Sequence, residues 1–297
     1  MDAPMYRNIL IPLDGSELAE RALPMAKAVA ARSDGSITLL TVVGSTDERD
    51  RGAMAGERYL DRLLRDLSPP TSRVHVLTAT GDPAEEILAA AGQTADLIAM
   101  TTRGRSGIVR GLLGSVTDRV VRSTNVPLLI TRSESAPAVD DARIENIVCP
   151  LDGSALAEAA LSHAAAFARL FSAKVTLLHA LGPFPQKILG ERSDAGSDRL
   201  SDLEAIPDSD ELIAAARAYV DRKRNELEDA HLSLDVRVEL GQPRAEIVRL
   251  ANDRPGSMIV MSTSGESGVK RWALGGVADG VIRTASVPTL VVRPSVG

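Results

Sequence analysis

The amino-acid sequence predicts an α/β protein made of two tandem repeats of one domain, each a doubly wound parallel sheet of five strands. Two observations predict this fold. Residues 8–43 and 146–181 are identical at half of their 36 positions, so the chain repeats itself. Within each repeat, short apolar runs alternate with longer amphipathic stretches, as parallel strands alternate with crossover helices. We therefore expect two similar domains, at residues 1–134 and 143–297.

The spacing of the repeat locates an insertion in the second copy. GDPAEEIL, which begins at Gly81, matches GQPRAEIV, which begins at Gly241. The offset between matching residues is 138 before this block and 160 within it, so the second repeat holds 22 extra residues. We place the insertion around residues 182–210, where Pro, Gly, Ser and Asp are frequent, as is typical of an irregular loop.

Each element of the first repeat is predicted from its apolar pattern. The strands are nearly continuous apolar runs, which is typical of strands covered on both faces. They are predicted at residues 8–13, 37–43, 74–79, 97–101 and 127–131. In the first helix Leu18, Ala22 and Val29 share one face, and Pro24 predicts a kink or a tight first turn. The other helices are predicted at residues 51–67, 84–91 and 115–123.

The charge and composition of the chain argue against several classes of partner. The formal net charge is −6 and only 2% of the residues are aromatic. Nucleic acids and acidic membranes attract clustered cations, and single strands stack on aromatic side chains, so neither is expected as a partner. No apolar run approaches the roughly 20 residues of a membrane helix, and no secretory leader pattern is present. We expect a cytoplasmic protein.

The cysteine and histidine residues predict no metal site. The single cysteine, Cys149, lies in an apolar run and is expected to be a buried strand thiol. The four histidines are scattered over different elements, without the close ligand spacing that zinc requires.

Three segments of the first repeat are expected to meet at the carboxyl ends of the strands, where doubly wound sheets bind ligands. PLDGS follows the first strand, MTTRGRSG follows the fourth, and GLLGS precedes the last predicted helix. Asp14 in the first segment could accept hydrogen bonds from a ribose hydroxyl or an adenine amine. Arg103 or Arg105, together with the N–H groups of a glycine loop and a helix N-terminus, could hold a phosphate.

A purely structural role is the alternative for the same residues. Asp14 and Ser16 could satisfy the free N–H groups of the first helix, and Ser115 could be a plain helix cap. Strong phosphoryl-transfer catalysis is not expected, because the sequence lacks the G-x4-G-K-[ST] loop of nucleotide hydrolases. We assign no catalytic residue.

These motifs resemble the universal stress protein family, once in each repeat and over nearly the whole chain. The resemblance rests on PLDGS, on MTTRG separated by nine residues from Gly114-Ser115, and on the final VPLLITR strand. It implies an adenine nucleotide α-hydrolase-like, Rossmann-like fold, and ATP binding through a G-x2-G-x9-G-[ST] motif. It places the adenine or ribose near Pro12, Asp14 and Val42, a backbone contact at Met100, and the phosphates at Gly104, Gly114, Ser115 and Val116.

The chain departs from this motif at several positions. In the first repeat Thr101 replaces the first glycine of the motif. Its side chain there would crowd the ribose and phosphates or donate a hydrogen bond to them. The second repeat keeps Asp152, Gly265 and Gly275 but has Gly276 in place of Ser115. We therefore expect nucleotide binding more strongly in the first repeat. The implied cofactor is ATP, or else AMP or ADP, with or without Mg²⁺.

The function implied by the resemblance is a stress-response module that acts as a nucleotide-dependent sensor or regulator. A nucleotide-free interaction scaffold is one alternative, and a slow ATPase or adenylate kinase using Asp14 and Arg103 is another. The expected partners are an adenine nucleotide and an unknown protein. The last strands, at 126–132 and 287–293, would lie on sheet edges, and the resemblance implies that they pair to give an intrachain pseudo-dimer. A homodimer of the whole chain is a further expectation.

Overall fold

One ten-stranded sheet runs through both repeats in a computed structural model of the protein. The structure describes residues 6–44, 49–66, 73–103, 113–132, 142–182, 209–227, 232–263 and 274–293. The predicted insertion around 182–210 falls mainly on residues outside these ranges.

The first repeat contains the five strands that its apolar runs predict. They are β1 (Asn8–Pro12), β2 (Ser36–Val43), β3 (Arg73–Thr80), β4 (Leu97–Thr101) and β5 (Leu128–Thr131). The helices are α1 (Glu17–Glu20), α2 (Leu23–Ser33), α3 (Arg49–Asp66), α4 (Pro83–Thr94) and α5 (Ser115–Ser123). The break between α1 and α2 agrees with the effect expected of Pro24, which lies in the first turn of α2, where its missing N–H costs no hydrogen bond.

The second repeat repeats this order. Its strands are β6 (Asn146–Pro150), β7 (Lys174–Leu181), β8 (Ser233–Leu240), β9 (Ser257–Ser262) and β10 (Thr289–Val292). Its helices are α6 (Ala155–Glu158), α7 (Ala160–Phe171), α8 (Ser209–Glu226), α9 (Pro243–Asn252) and α10 (Gly276–Thr284).

The strand order confirms the doubly wound topology and the pairing of the last strands. Across the sheet the order is β3-β2-β1-β4-β5-β10-β9-β6-β7-β8. All pairs within a repeat are parallel, whereas β5 and β10 pair antiparallel, with Leu129 opposite Leu290. The two repeats are therefore joined edge to edge at equivalent residues, as expected for an intrachain pseudo-dimer.

An aromatic cluster joins the repeats on one face of the sheet. The hydroxyl of Tyr6 lies 2.6 Å from Nδ1 of His163 in α7. The Tyr6 ring packs edge-on against Phe167 at 4.8 Å between centroids, and Phe167 stacks on Phe171 at 6.0 Å. One buried apolar cluster contains residues of both repeats, so the repeats share a core on this face.

Four charged side chains join the repeats on the other face, between α5 and α10. Arg122 contacts Asp118 of its own helix at 2.9 Å and Asp279 of the other repeat at 3.5 Å. Arg283 reciprocates, contacting Asp279 at 2.8 Å and Asp118 at 3.3 Å. Because each arginine contacts both carboxylates, the four side chains form a closed ring of ion pairs between the two helices.

The predicted environment of Cys149 is confirmed. The side chain is fully buried in β6, and burial raises the pKa of its thiol to about 12. In the described residues no group of three or more His, Cys, Asp or Glu side chains is arranged to hold a metal ion. None of the described helices has the length and apolar character needed to cross a membrane.

Candidate functional site

A cleft of about 220 Å³ opens at the carboxyl ends of β1 and β4 in the first repeat. The loops after these two strands and the beginning of α5 form its wall. This is the position where a doubly wound sheet reverses direction and leaves a crevice. It brings together these residues predicted from the sequence: Pro12, Asp14, Val42, Met100, Thr101, Arg103, Gly114, Ser115 and Val116.

Asp14 orders the loop that follows β1. Its Oδ1 accepts hydrogen bonds from the backbone N–H of Ser16 at 3.0 Å and from the Ser16 hydroxyl at 2.6 Å. The Ser16 Oγ in turn accepts from the N–H of Ala19 at 3.2 Å and caps α1. The capping alternative is thus confirmed for Ser16, and Asp14 accepts from Ser16, the residue that caps the helix. The Asp14 side chain remains exposed and lines the cleft.

Thr101 is held inside the loop that follows β4. Its side chain is 5% exposed, and its hydroxyl donates to the carbonyl oxygen of Arg103 at 2.6 Å. The hydroxyl of Thr117 donates to the Thr101 carbonyl oxygen at 3.1 Å and ties the loop to α5. With its hydroxyl hydrogen used in this way, Thr101 shapes the cleft wall and supports the start of α5.

Helix α5 begins one residue earlier than a Ser115 cap would require. The alternative that Ser115 is the helix cap is therefore wrong. Gly114 occupies the N-cap position, and no side chain there caps the helix by a hydrogen bond. Ser115 is the first helical residue. The Gly114 backbone has φ −62° and ψ 148°, which other residues also adopt. An added Cβ there would meet no atom closer than the Thr102 oxygen at 3.6 Å. The described surroundings therefore do not require glycine at this position.

Positive and negative groups lie on different parts of the cleft wall. The free N–H groups at the start of α5 and the buried Arg103 side chain form the positive part. Asp14 supplies a carboxylate on the β1 side. Gly104 and Arg105, also expected at this loop, lie outside the described residues. The arrangement can hold a ligand with hydroxyl groups at one end and an anionic group at the other.

The sequence did not identify the part of the cleft contributed by α4. Pro83 and Ile87 line the cleft from this helix. Asp82 fixes the helix start, because its Oδ1 accepts from the N–H groups of Ala84 and Glu85 and contacts Arg119 of α5 at 2.8 Å. The hydrogen bond from Glu85 is the main cause of the lowered pKa of the Asp82 carboxyl. The similarity of GDPAEEIL to GQPRAEIV in the second repeat, at the start of α4, was the signal that could have identified this part of the cleft wall.

A second, smaller cleft of about 120 Å³ occupies the equivalent place in the second repeat. Asp152 and Gly275 line it, and Asp152 accepts from the Ser154 N–H at 3.0 Å and hydroxyl at 2.6 Å, as Asp14 does from Ser16. The lining also contains Ala180 and Gly276, where the first cleft has Val42 and Ser115. Gly265 lies outside the described residues.

Comparison with known proteins gives matches in both repeats. The model of the universal stress protein family matches residues 5–132 and 143–293. A universal stress protein of Methanocaldococcus jannaschii is 29% identical over 161 residues, covering 50% of this chain and 94% of that protein. One of Mycolicibacterium smegmatis is 24% identical over 308 residues, covering 97% of both chains. The crystal structure of a universal stress protein from Archaeoglobus fulgidus has the same fold, with a TM-score of 0.71, 20% identity and coverage of 97% and 98%.

Proposed function

The chain belongs to the universal stress protein family, and on this premise we propose that its first repeat binds an adenine nucleotide in the cleft between β1, β4 and α5. ATP is the nucleotide we propose, with AMP and ADP as the alternatives and Mg²⁺ as an optional companion of the phosphates. The observation that carries the proposal is the placement of Asp14 and the α5 N-terminus on one cleft.

The inner wall of the cleft suits a nucleoside. Leu40, Ile87 and Met100 are buried apolar residues that line it, and Val42 adds a half-buried side chain. A purine ring is flat and can pack on such a surface, as ligands do in mostly apolar pockets with a few polar groups. Asp14 lies beside this surface as an acceptor for the ribose hydroxyls or the adenine amine.

The outer wall suits phosphate groups. Helix α5 points its N-terminus at the cleft through Gly114 and Ser115, and a helix N-terminus favours an anion through its free N–H groups and its dipole. The Ser115 hydroxyl, on the first helical residue, is a further donor. Arg103 adds a full positive charge in the same wall.

Equilibrium binding of ATP to paired variants tests this assignment. Asp14→Ala removes the proposed acceptor, and we expect a loss of affinity of about 10- to 100-fold, the size of a hydrogen bond to a charged group. Asp152→Ala is the matched control, because Asp152 makes the same two contacts with Ser154 in the second repeat. Its affinity for ATP should stay within about twofold of the wild type. Equal losses in both variants, or none in Asp14→Ala, would refute the site.

We further propose that the bound nucleotide regulates the protein through α5. The helix that begins at the cleft ends at the ring of ion pairs with α10, where Asp118 and Arg122 contact Asp279 and Arg283. A phosphate held at the α5 N-terminus therefore acts on a helix that forms part of the contact between the repeats. This connection supports a role as a nucleotide-dependent regulator.

A further inference from the structure

The ten-stranded sheet ends in two strands that occupy equivalent positions in the two repeats. These strands are β3 and β8, and each residue of β3 matches the residue 160 positions later in β8. Among the described residues each pairs with a neighbouring strand along one side only. An edge strand presents unpaired N–H and C=O groups that can join another strand, and proteins commonly protect such edges with charged side chains. The duplication therefore allows a direct comparison of the two edges.

The β8 edge is protected by charges. Asp235, Arg237 and Glu239 alternate along the strand, and Asp235 contacts Lys174 at 3.4 Å and Arg237 at 3.7 Å. Glu239 contacts Arg249 of α9 at 3.3 Å. Another strand approaching this edge would have to desolvate or displace these ion pairs, which opposes pairing.

The β3 edge has none of these groups. The residues that match Lys174, Asp235, Arg237, Glu239 and Arg249 are Ser36, His75, Leu77, Ala79 and Ala89. The edge is also apolar and open to solvent. Val76 is 45% exposed and Leu77 is 42% exposed, whereas Val236, the match of Val76, is 5% exposed.

We propose that the β3 edge is an interface with a second copy of this chain, formed by antiparallel pairing of β3 with its equivalent about a twofold axis. The chain already uses this mode of contact once, because β5 and β10 join edge to edge, antiparallel, with the equivalent residues Leu129 and Leu290 facing each other. A twofold axis at Val76 would place Val76 opposite Val76 of the second copy and make the two Leu77 side chains diagonal neighbours on one face, as an isologous interface allows.

The charge pattern of β3 suits pairing with itself. Arg73, at the first position, is the one residue of the strand that is formally charged at pH 7 with histidine counted as neutral. Antiparallel pairing centred on Val76 would place the two Arg73 residues about 20 Å apart along the strands, because a strand advances about 3.4 Å per residue. No like charges would oppose one another at the centre.

Light scattering coupled to size-exclusion chromatography tests the interface. We expect the wild-type protein to give twice the chain mass of 31.4 kDa. Leu77→Arg introduces the residue that β8 has at the matching position, and we expect it to give the single-chain mass. Leu240→Arg is the control, because Leu240 is 55% exposed on the opposite edge, and its mass should equal that of the wild type. A single-chain mass for the wild type at micromolar to millimolar concentration, an unchanged mass in Leu77→Arg, or a halved mass in Leu240→Arg would overturn the proposal.

Hydrogen exchange on the wild-type protein locates the contact without a substitution. Amide exchange in β3 should slow about tenfold or more as the protein concentration rises through the dimerisation range, whereas exchange in β8 should not change. Protection of β8 instead of β3, or of neither strand, would overturn the proposal even if Leu77→Arg failed to fold.

Discussion

Tyr6 and His163 belong to different repeats and are joined by one short contact of 2.6 Å. Burial lowers the pKa of the His163 imidazole to about 4, and burial is the main cause of the raised pKa of the Tyr6 hydroxyl. Both groups are therefore neutral at pH 7. A neutral ring that carries its proton on Nε2 accepts the hydrogen bond of the Tyr6 hydroxyl at Nδ1.

The lowered pKa of His163 predicts a loss of stability in mild acid. The unfolded chain protonates His163 below its ordinary pKa of 6.5 while the folded protein does not, so stability is fully present above pH 6.5 and falls as the pH decreases toward 4. Between pH 7.5 and 5 the loss should be about 2 kcal/mol. The pKa of Asp82 and Asp235 is lowered from 3.8, so these carboxyls change stability at lower pH.

Urea unfolding of wild type and His163→Gln at pH 7.5 and 5 measures this effect. The amide oxygen of glutamine can still accept from Tyr6 but does not titrate, so the variant should lose most of the pH dependence. The same decrease in the free energy of unfolding in both proteins would contradict the role given to His163.

At the residue scale, the sequence predicted most of the cleft but not the hydrogen bonds within it. Strand ends and helix starts place Asp14 and Ser115 at the cleft. Other lining residues, such as Val42 and Met100, were expected only from the family resemblance. Whether Ser115 caps α5 or follows the cap depends on one backbone conformation, that of Gly114, which no pattern encodes. The packing of Ile87 against the cleft depends likewise on how α4 lies across the sheet.

Helices α5 and α10 carry the proposed connection from nucleotide to interface. Each begins at one cleft, and the two meet in the ring of Asp118, Arg122, Asp279 and Arg283. The ring side chains are 24–42% exposed, so each pair contributes at most about 1 kcal/mol. The ring therefore does not hold the repeats together by itself. Its proposed role is to pass a change in α5, caused by nucleotide binding, to α10.

Amide hydrogen exchange with and without saturating ATP tests this connection. Exchange in α5 should slow on binding, and a smaller decrease should extend to α10 of the other repeat. Asp279→Ala removes the one carboxylate that α10 contributes to the ring, and it should abolish the α10 response while leaving the α5 response. An α10 that exchanges at the same rate with and without bound ATP would contradict the regulatory role.

At the element scale, the boundaries of the strands were predicted more closely than those of helix α4. The strands of the first repeat begin and end within one residue of their predicted positions. Continuous apolar runs mark the buried strands β1, β4 and β5, whereas β3 is largely exposed. Helix α4 extends to Thr94 instead of ending at residue 91, despite the weak helix propensity of Gly92. In its last turn the Thr94 hydroxyl donates to the carbonyl oxygen of Ala90 at 3.3 Å.

The whole molecule is one sheet whose two halves have diverged. The duplication was clear from the sequence, and pairing of the last strands followed from the resemblance. The shared core around Phe167 and the contrast between the β3 and β8 edges were not predicted. Both depend on which residues lie side by side after folding, and the sequence alone does not show this.

The divergence of the repeats predicts how many ATP molecules each chain binds. The first cleft is larger and has Ser115 at the start of its helix, whereas the second has Gly276. Equilibrium dialysis of labelled ATP against nucleotide-free wild-type protein therefore tests the central claim most directly. The account predicts one ATP retained per chain, lost on Asp14→Ala. No retention at millimolar ATP, or retention that survives Asp14→Ala and disappears in Asp152→Ala, would contradict it.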